Sequence, residues 1–164
     1  MSRVIRIRPL TPAQEQRIDA LRRVSRLLDS GYQVPGTSYR FGLDPVLGLV
    51  PGIGDLISPL FTIALLWQSH DLRLPRVVQL RMLFNVVIDT VVGMIPVAGD
   101  LFDFAWKAND MNMALLDRHA FEERPAAAGD WMFVGGLTLL LVLVAAVPLI
   151  LFGFVLREIS RVIV

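Results

Sequence analysis

The sequence predicts an all-α integral membrane protein with two tandem Gly/Pro-broken helical hairpins and at least one C-terminal transmembrane helix. Three observations carry this reading. Residues 131–156 run for 26 positions without a charge, where a bilayer core of about 30 Å needs roughly 20. Residues 43–56, LDPVLGLVPGIGDL, return at 88–101 as IDTVVGMIPVAGDL, with seven of fourteen positions identical. The chain of 164 residues is 54% hydrophobic and 19% charged, at a mean hydropathy of +0.58. That is too apolar for a soluble domain of this size, which needs polar surface to cover its core. Three segments follow: a basic arm with an amphipathic helix and a loop over 1–42, a duplicated hairpin domain over 43–124, and a transmembrane segment over 125–164.

The arm comes first. Residues 1–42 hold eight arginines against Glu15, Asp19 and Asp29, so the arm is about +5 and the remainder about −4. The first ten residues are basic with no apolar run behind them, which reads as a retained cytoplasmic terminus rather than a secretory signal. Thr11-Pro12-Ala13-Gln14 makes a helix start, with Thr11 as cap, Pro12 in the first turn and Gln14 closing a capping box. Gly31 is a C-terminal stop. Ile18, Leu21, Val24 and Leu28 recur at helical spacing, with Arg22, Arg23 and Arg26 opposite. Such a helix either lies on anionic lipid or packs its apolar stripe on the protein's own body. Residues 31–42, rich in Gly, Pro, Ser and Thr, read as a loop.

The repeat comes next. At an offset of 45, Asp44 matches Asp89, Gly48 matches Gly93, Pro51 matches Pro96, Gly54 matches Gly99 and Asp55 matches Asp100. Pro removes a backbone donor and Gly admits left-handed geometry, so each copy reads as a short helix, a tight apolar turn and a second helix. The first leg is too short to cross a bilayer. Re-entrant or interfacial hairpins therefore fit, against two full crossings that tolerate Asp55 and Asp100 inside. Arg73, Arg76 and Arg81 between the copies favour a cytoplasmic linker. After the second turn, LFDFAWKANDMNMALLDRHAFEER (101–124) reads as a polar amphipathic helix at the membrane surface. The last element, 131–156, has Trp131 at one end and Arg157 and Arg161 at the other, as interfaces favour. Pro148 sits within it.

Two stretches, VPGTSYRFGLDPVLGLVPGIGD and RMLFNVVIDTVVGMIPVAGDLFDFAWKAND, resemble the small family known as domain of unknown function 4112. The likeness covers about residues 20–118. It rests on the two Gly-Pro-Gly-Asp turns, Arg81-Met82-x-x-Asn85 and Trp106-Lys107-Ala108-Asn109. It implies an all-helical, membrane-associated protein. It implies no reaction and carries no catalytic residue onto this chain.

Function must then be weighed from the residues. With no cysteine, disulfides, thiolate metal sites and cysteine nucleophiles are excluded. The balanced charge excludes nucleic-acid binding driven by net charge. No phosphate loop, dinucleotide motif or nucleophile elbow is present. His70 and His119 are the two histidines, and their spacing supports no metal site. No catalytic residue, cofactor or metal is therefore expected. Asp44, Asp55, Asp89 and Asp100 read either as helix caps beside tight turns or as an ion site in broken helices. Arg22, Arg23, Arg26, Trp106, Lys107, Asn109 and Asp110 are candidates for lipid or partner contact. The expected role is a non-enzymatic scaffold or accessory subunit of a larger complex in the inner (cytoplasmic) membrane. Its partners would be the bilayer and other membrane protein subunits, with a homo-oligomer admitted. The alternatives are a small oligomeric ion or solute conduit using the repeated aspartates, and a lipid-surface enzyme using His119.

Overall fold

The computed structural model describes residues 9–43, 47, 54–93, 95, 102, 105–122 and 129–163. Helix α1 spans Pro12–Asp29 and opens on the capping box read from the sequence: the Gln14 N–H donates to Thr11 Oγ1 at 3.3 Å, and the Thr11 N–H donates to Gln14 Oε1 at 3.0 Å. It ends where the Ser30 N–H meets the Arg26 carbonyl at 2.9 Å, one residue before Gly31. Ile18 and Leu28 are buried as their spacing suggests, but Val24 is exposed. Ser25 and Asp29 are buried instead. The stripe is therefore part polar, and it packs on the protein's own helices rather than standing free.

The expected loop over 31–42 contains a small antiparallel ladder. Strand β1 (Tyr32–Gln33) pairs with β2 (Arg40–Phe41) in the register Tyr32↔Phe41 and Gln33↔Arg40. The Tyr32 and Phe41 rings lie 5.9 Å apart, the aromatic cross-strand pairing that stabilises short ribbons. The chain then passes so close to α1 that a Cβ at Gly42 would overlap the Leu28 carbonyl. Only glycine fits there. The Leu43 N–H bonds the Leu27 carbonyl at 3.0 Å and fastens the crossing.

Helix α2 (Gly54–Asp71) and helix α3 (Arg76–Gly93) form an antiparallel pair joined by residues 72–75. The linker is thus four residues long, and Arg76 and Arg81 belong to α3. The sequence placed the hairpins inside each repeat. The hairpin described here instead joins the second leg of copy one to the segment that ends in the first leg of copy two. The Gly/Pro turns at the opposite ends, 48–53 and 96–101, lie outside the described residues. The α2 end closes as a Schellman motif: the Leu74 N–H reaches the Ser69 carbonyl at 2.8 Å and the Arg73 N–H reaches that of His70 at 2.9 Å. Arg73 supplies the left-handed residue at φ 58°, a conformation glycine adopts without cost.

Helix α4 spans Ala108–His119, shorter than the helix expected over 101–124, because Lys107 (φ −104°, ψ 72°) breaks it. Helix α5 spans Asp130–Ile163 and continues through Pro148. At 1.5 Å per residue it is about 51 Å long.

The helices stack in layers. α1 lies on α4, α4 lies on α2 and α3, and those two lie on α5. α1 runs antiparallel to α4, since Asp29 meets Asn109 while Arg22 meets Asp117. α4 runs with α2, since Asn109 meets Ser58 and Asn112 meets Thr62. The core is filled by Leu65 and Leu66 of α2, Met82 and Val86 of α3, and Leu116 of α4, each fully buried. α5 adds one stripe, Val134, Leu137, Leu141 and Ala145. Its first turn is fixed by Trp131, 4.0 Å from the His70 ring and 5.8 Å from that of Trp67. Arg76 holds Asp130 at 3.0 Å and lies 5.2 Å over the Phe133 ring.

Replacing Arg73 by glycine relieves the left-handed residue, whose cost is about 1–2 kcal/mol, against a partly offsetting gain in unfolded-state entropy. Arg73→Gly is expected to raise Tm by about 2–4 °C in mild detergent, read by circular dichroism.

Candidate functional site

The centre of the stack is polar. α4 begins without a side-chain cap of its own at Lys107, so its first N–H groups need partners from elsewhere. Asp29, at the end of α1, supplies one: its Oδ2 accepts the Asp110 N–H at 2.8 Å. The other oxygen accepts the Asn109 amide at 2.8 Å, and the same amide nitrogen reaches Ser58 Oγ on α2 at 3.0 Å. Ser25, one turn before Asp29, donates to Asp110 Oδ1 at 2.7 Å. A carboxylate at a helix N-terminus also meets the positive end of the dipole.

One turn further along α4, Asn112 repeats the pattern against the other layer. Its amide donates to Thr62 Oγ1 and to the Met82 carbonyl, each at 3.0 Å, and its oxygen accepts from the Asn85 amide at 2.8 Å. The Trp106 indole N–H closes the row on the Asn85 carbonyl at 3.0 Å. Asn109, Asn112 and Thr62 are wholly inaccessible to solvent. A buried network of this kind fixes which residues of neighbouring helices meet. It sets two carboxylates, the buried Asp29 and the half-buried Asp110, among neutral amides and hydroxyls.

Two surface features flank this spine. A cleft of about 370 Å³ opens between α3 and α4, lined by Arg81, Phe84 and Asn85 on one side and Met111, Leu115 and Arg118 on the other. On the far side of the stack, α5 leaves Leu139, Leu140, Val142 and Leu143 exposed, and α2 adds Leu60 and Trp67.

The residues singled out from the sequence fall in different places. Asn109 faces the interior, where it has no surface to offer lipid. Asp110 lies at the start of α4 against Ser25. Trp106 stacks on Phe102 at 5.3 Å while its N–H turns inward. Lys107 donates to the Arg40 carbonyl and stands 5.4 Å over the Tyr39 ring, which ties α4 to the small ladder. Arg22 pairs with Asp117 at 2.9 Å and also with Asp19. Hydrogen bonding to Asp117 holds the Arg22 guanidinium above its ordinary pKa, against the opposing effect of burial. A raised pKa contributes stability below the unfolded value and loses it only as pH climbs through the folded one, so Arg22 keeps its charge throughout the neutral range. Arg23 and Arg26 stay on the exposed face.

Of the repeat residues, Gly54 and Asp55 open α2, and Asp89 and Gly93 lie in the last turns of α3. Asp44, Gly48, Pro51, Pro96, Gly99 and Asp100 lie outside the described residues. Among the described residues no group of three metal-ligating side chains comes together. His119 Nδ1 lies 2.9 Å from the Leu115 carbonyl of its own helix, and Nε2 lies 3.8 Å from Glu122.

Sequence reasoning gave no site role to Ser25, Asp29 and Thr62, and named Asn85 only within the family signature. Their signal was spacing: Ser25 and Asp29, and Ser58 and Thr62, each stand four apart on otherwise apolar faces, and Asn109 and Asn112 stand three apart.

A layered helical stack with a polar spine and one apolar flank defines the class of this molecule. The chain belongs to the family described as domain of unknown function (DUF4112), which matches residues 17–120. The matched span runs from within α1 to just past α4, and α5 lies beyond it. No curated protein and no solved structure matches the chain.

Removing the Asp29 carboxylate leaves the Asp110 N–H and the Asn109 amide short of an acceptor in the interior. Asp29→Ala is expected to cost about 3 kcal/mol, a Tm loss of about 6–12 °C. Asp29→Asn, which keeps one acceptor oxygen, should lose less. Trp106→Phe keeps the ring and removes one hydrogen bond, for about 1 kcal/mol.

Proposed function

We propose that this protein is a non-enzymatic scaffold or accessory subunit embedded in the inner (cytoplasmic) membrane, with its N-terminus on the cytoplasmic side. The observation that carries the reading is the state of α5. Asp130–Arg161 is long and apolar enough to cross a bilayer, and only 17% of its most apolar window is buried. A core helix of a soluble protein would be mostly covered. Past Ala145, Ile150, Leu151, Phe154, Val155 and Leu156 are all exposed, so the helix is apolar on every side there, as lipid requires.

The layers support the same placement. The helices become steadily more apolar from α1 through α4 and α3 to α2 and α5. The water-facing side carries Arg23 and Arg26, and the opposite side carries aliphatic and aromatic groups. The spine offers shape and fixed register between neighbouring helices, which suits holding a partner. Exposed apolar patches beyond what lipid covers are where membrane subunits meet.

Two measurements test the reading. The protein should stay in the membrane pellet through alkaline carbonate, and Leu143→Arg, at a lipid-facing position of α5, should reduce that retention, since arginine at a helix centre costs about 2.5–3.5 kcal/mol to insert. Extraction in mild detergent should bring down a stoichiometric larger partner. A closed homo-oligomer alone would instead favour the conduit, and a carbonate-soluble monomer would defeat both.

A further inference from the structure

The cleft between α3 and α4 joins two kinds of surface. Its rim carries Arg81 and Arg118, both exposed, and neither lies within ion-pairing distance of a carboxylate among the described residues. Its walls are apolar, formed by Phe84, Met111 and Leu115, and Ala114 keeps the space between the helices open. Two unopposed guanidiniums on one small cleft favour an anion, and their planar donors match the oxygens of a phosphate.

The surface below the arginines is apolar in one direction only. From Arg81, exposed side chains continue down α3 as Phe84, Ile88 and Val91, and then Ile95 just past its end. These positions follow helical spacing, so they form one stripe, about 15 Å long from Arg81 to Val91. α3 runs alongside α5 in the same direction, because the two start together at Arg76 and Asp130 and stay packed on one another beyond that pair. The charged end of the stripe therefore lies toward Trp131, the residue type that marks a membrane interface. The apolar end points the way the spanning segment of α5 runs. Headgroup below hydrocarbon would be the wrong order for a lipid at this interface; here the order is right.

We propose that this cleft and stripe bind one anionic phospholipid of the surrounding bilayer. Its phosphate sits between Arg81 and Arg118, and one acyl chain lies along Phe84, Ile88 and Val91. The proposal rests on the membrane placement given above and adds to it a defined site with a headgroup preference.

The test uses the full-length protein purified in mild detergent, offered phosphatidylglycerol or phosphatidylcholine and examined by native mass spectrometry. Wild type should retain phosphatidylglycerol over phosphatidylcholine. The double variant Arg81→Ala/Arg118→Ala should lose roughly thirtyfold in phosphatidylglycerol affinity, with phosphatidylcholine unchanged. Arg23→Ala, on the exposed face of α1, should leave both unchanged, and circular dichroism should show all variants folded. Arg81→Lys/Arg118→Lys should fall between, keeping charge but losing the paired donors. Equal retention of the two lipids by wild type, or a double variant that binds like wild type, overturns the site. Free glycerol phosphate that competes as strongly as the lipid itself would also overturn it, since the acyl chain would then contribute nothing. Flotation separates the two readings. A protein that floats with phosphatidylcholine vesicles but shows no headgroup preference keeps its membrane placement and loses the site; one that does not float loses both.

Discussion

The carboxylate of Asp29 closes one helix and opens another. It lies at the end of α1, and its two oxygens take the Asp110 N–H and the Asn109 amide at 2.8 Å each. Asn109 passes the connection to Ser58, so a single buried side chain at the end of α1 is linked to two other helices, α4 and α2. An unsatisfied donor in such a place would cost about 1–3 kcal/mol. Any shift of α1 or α2 along α4 would break these bonds together, because Asn112 repeats the pattern one turn away against Thr62, Met82 and Asn85. Apolar side chains supply most of the attraction between the layers, and the polar row decides where the layers stop.

This division of labour suits the membrane placement proposed above. Apolar contact between helices loses much of its drive where the surrounding solvent is itself apolar, and hydrogen bonds and close packing then hold helices together. The spine lies between the most polar helix, α1, and the more apolar pair α2 and α3. On the side of α2 and α3 away from α4, α5 adds a plain apolar stripe, Val134 to Ala145, and leaves much of its remaining surface uncovered.

Much of this was legible because its causes are local. The capping box at Thr11 and Gln14 fixes the start of α1 within four residues, and the uncharged run 131–156 sits inside α5 as described. The family resemblance over about 20–118 agrees with the match over 17–120. What escaped had distant causes. The break before Ala108 depends on Lys107 and on a cap delivered by Asp29, about eighty positions earlier in the chain. The ladder at Tyr32 and Phe41 is two residues deep, too short for alternation to show. The turn after α2 hides because an arginine stands where glycine would have announced it. The arginine-rimmed cleft needs two helices side by side, and each contributes only an ordinary amphipathic face.

The first four turns of α5 are packed into the body, with Trp131 against His70 and Arg76 clasping Asp130. A helix joined to its domain through a free linker can swivel; α5, packed over these turns, cannot. α5 and the bundle form one lever. In the proposed placement, a bilayer that thickens or thins would change the tilt of a helix of about 51 Å, and the packed layers would carry that tilt to α1 and its arginines. Membrane thickness would thereby set the attitude of the water-facing surface toward whatever waits there.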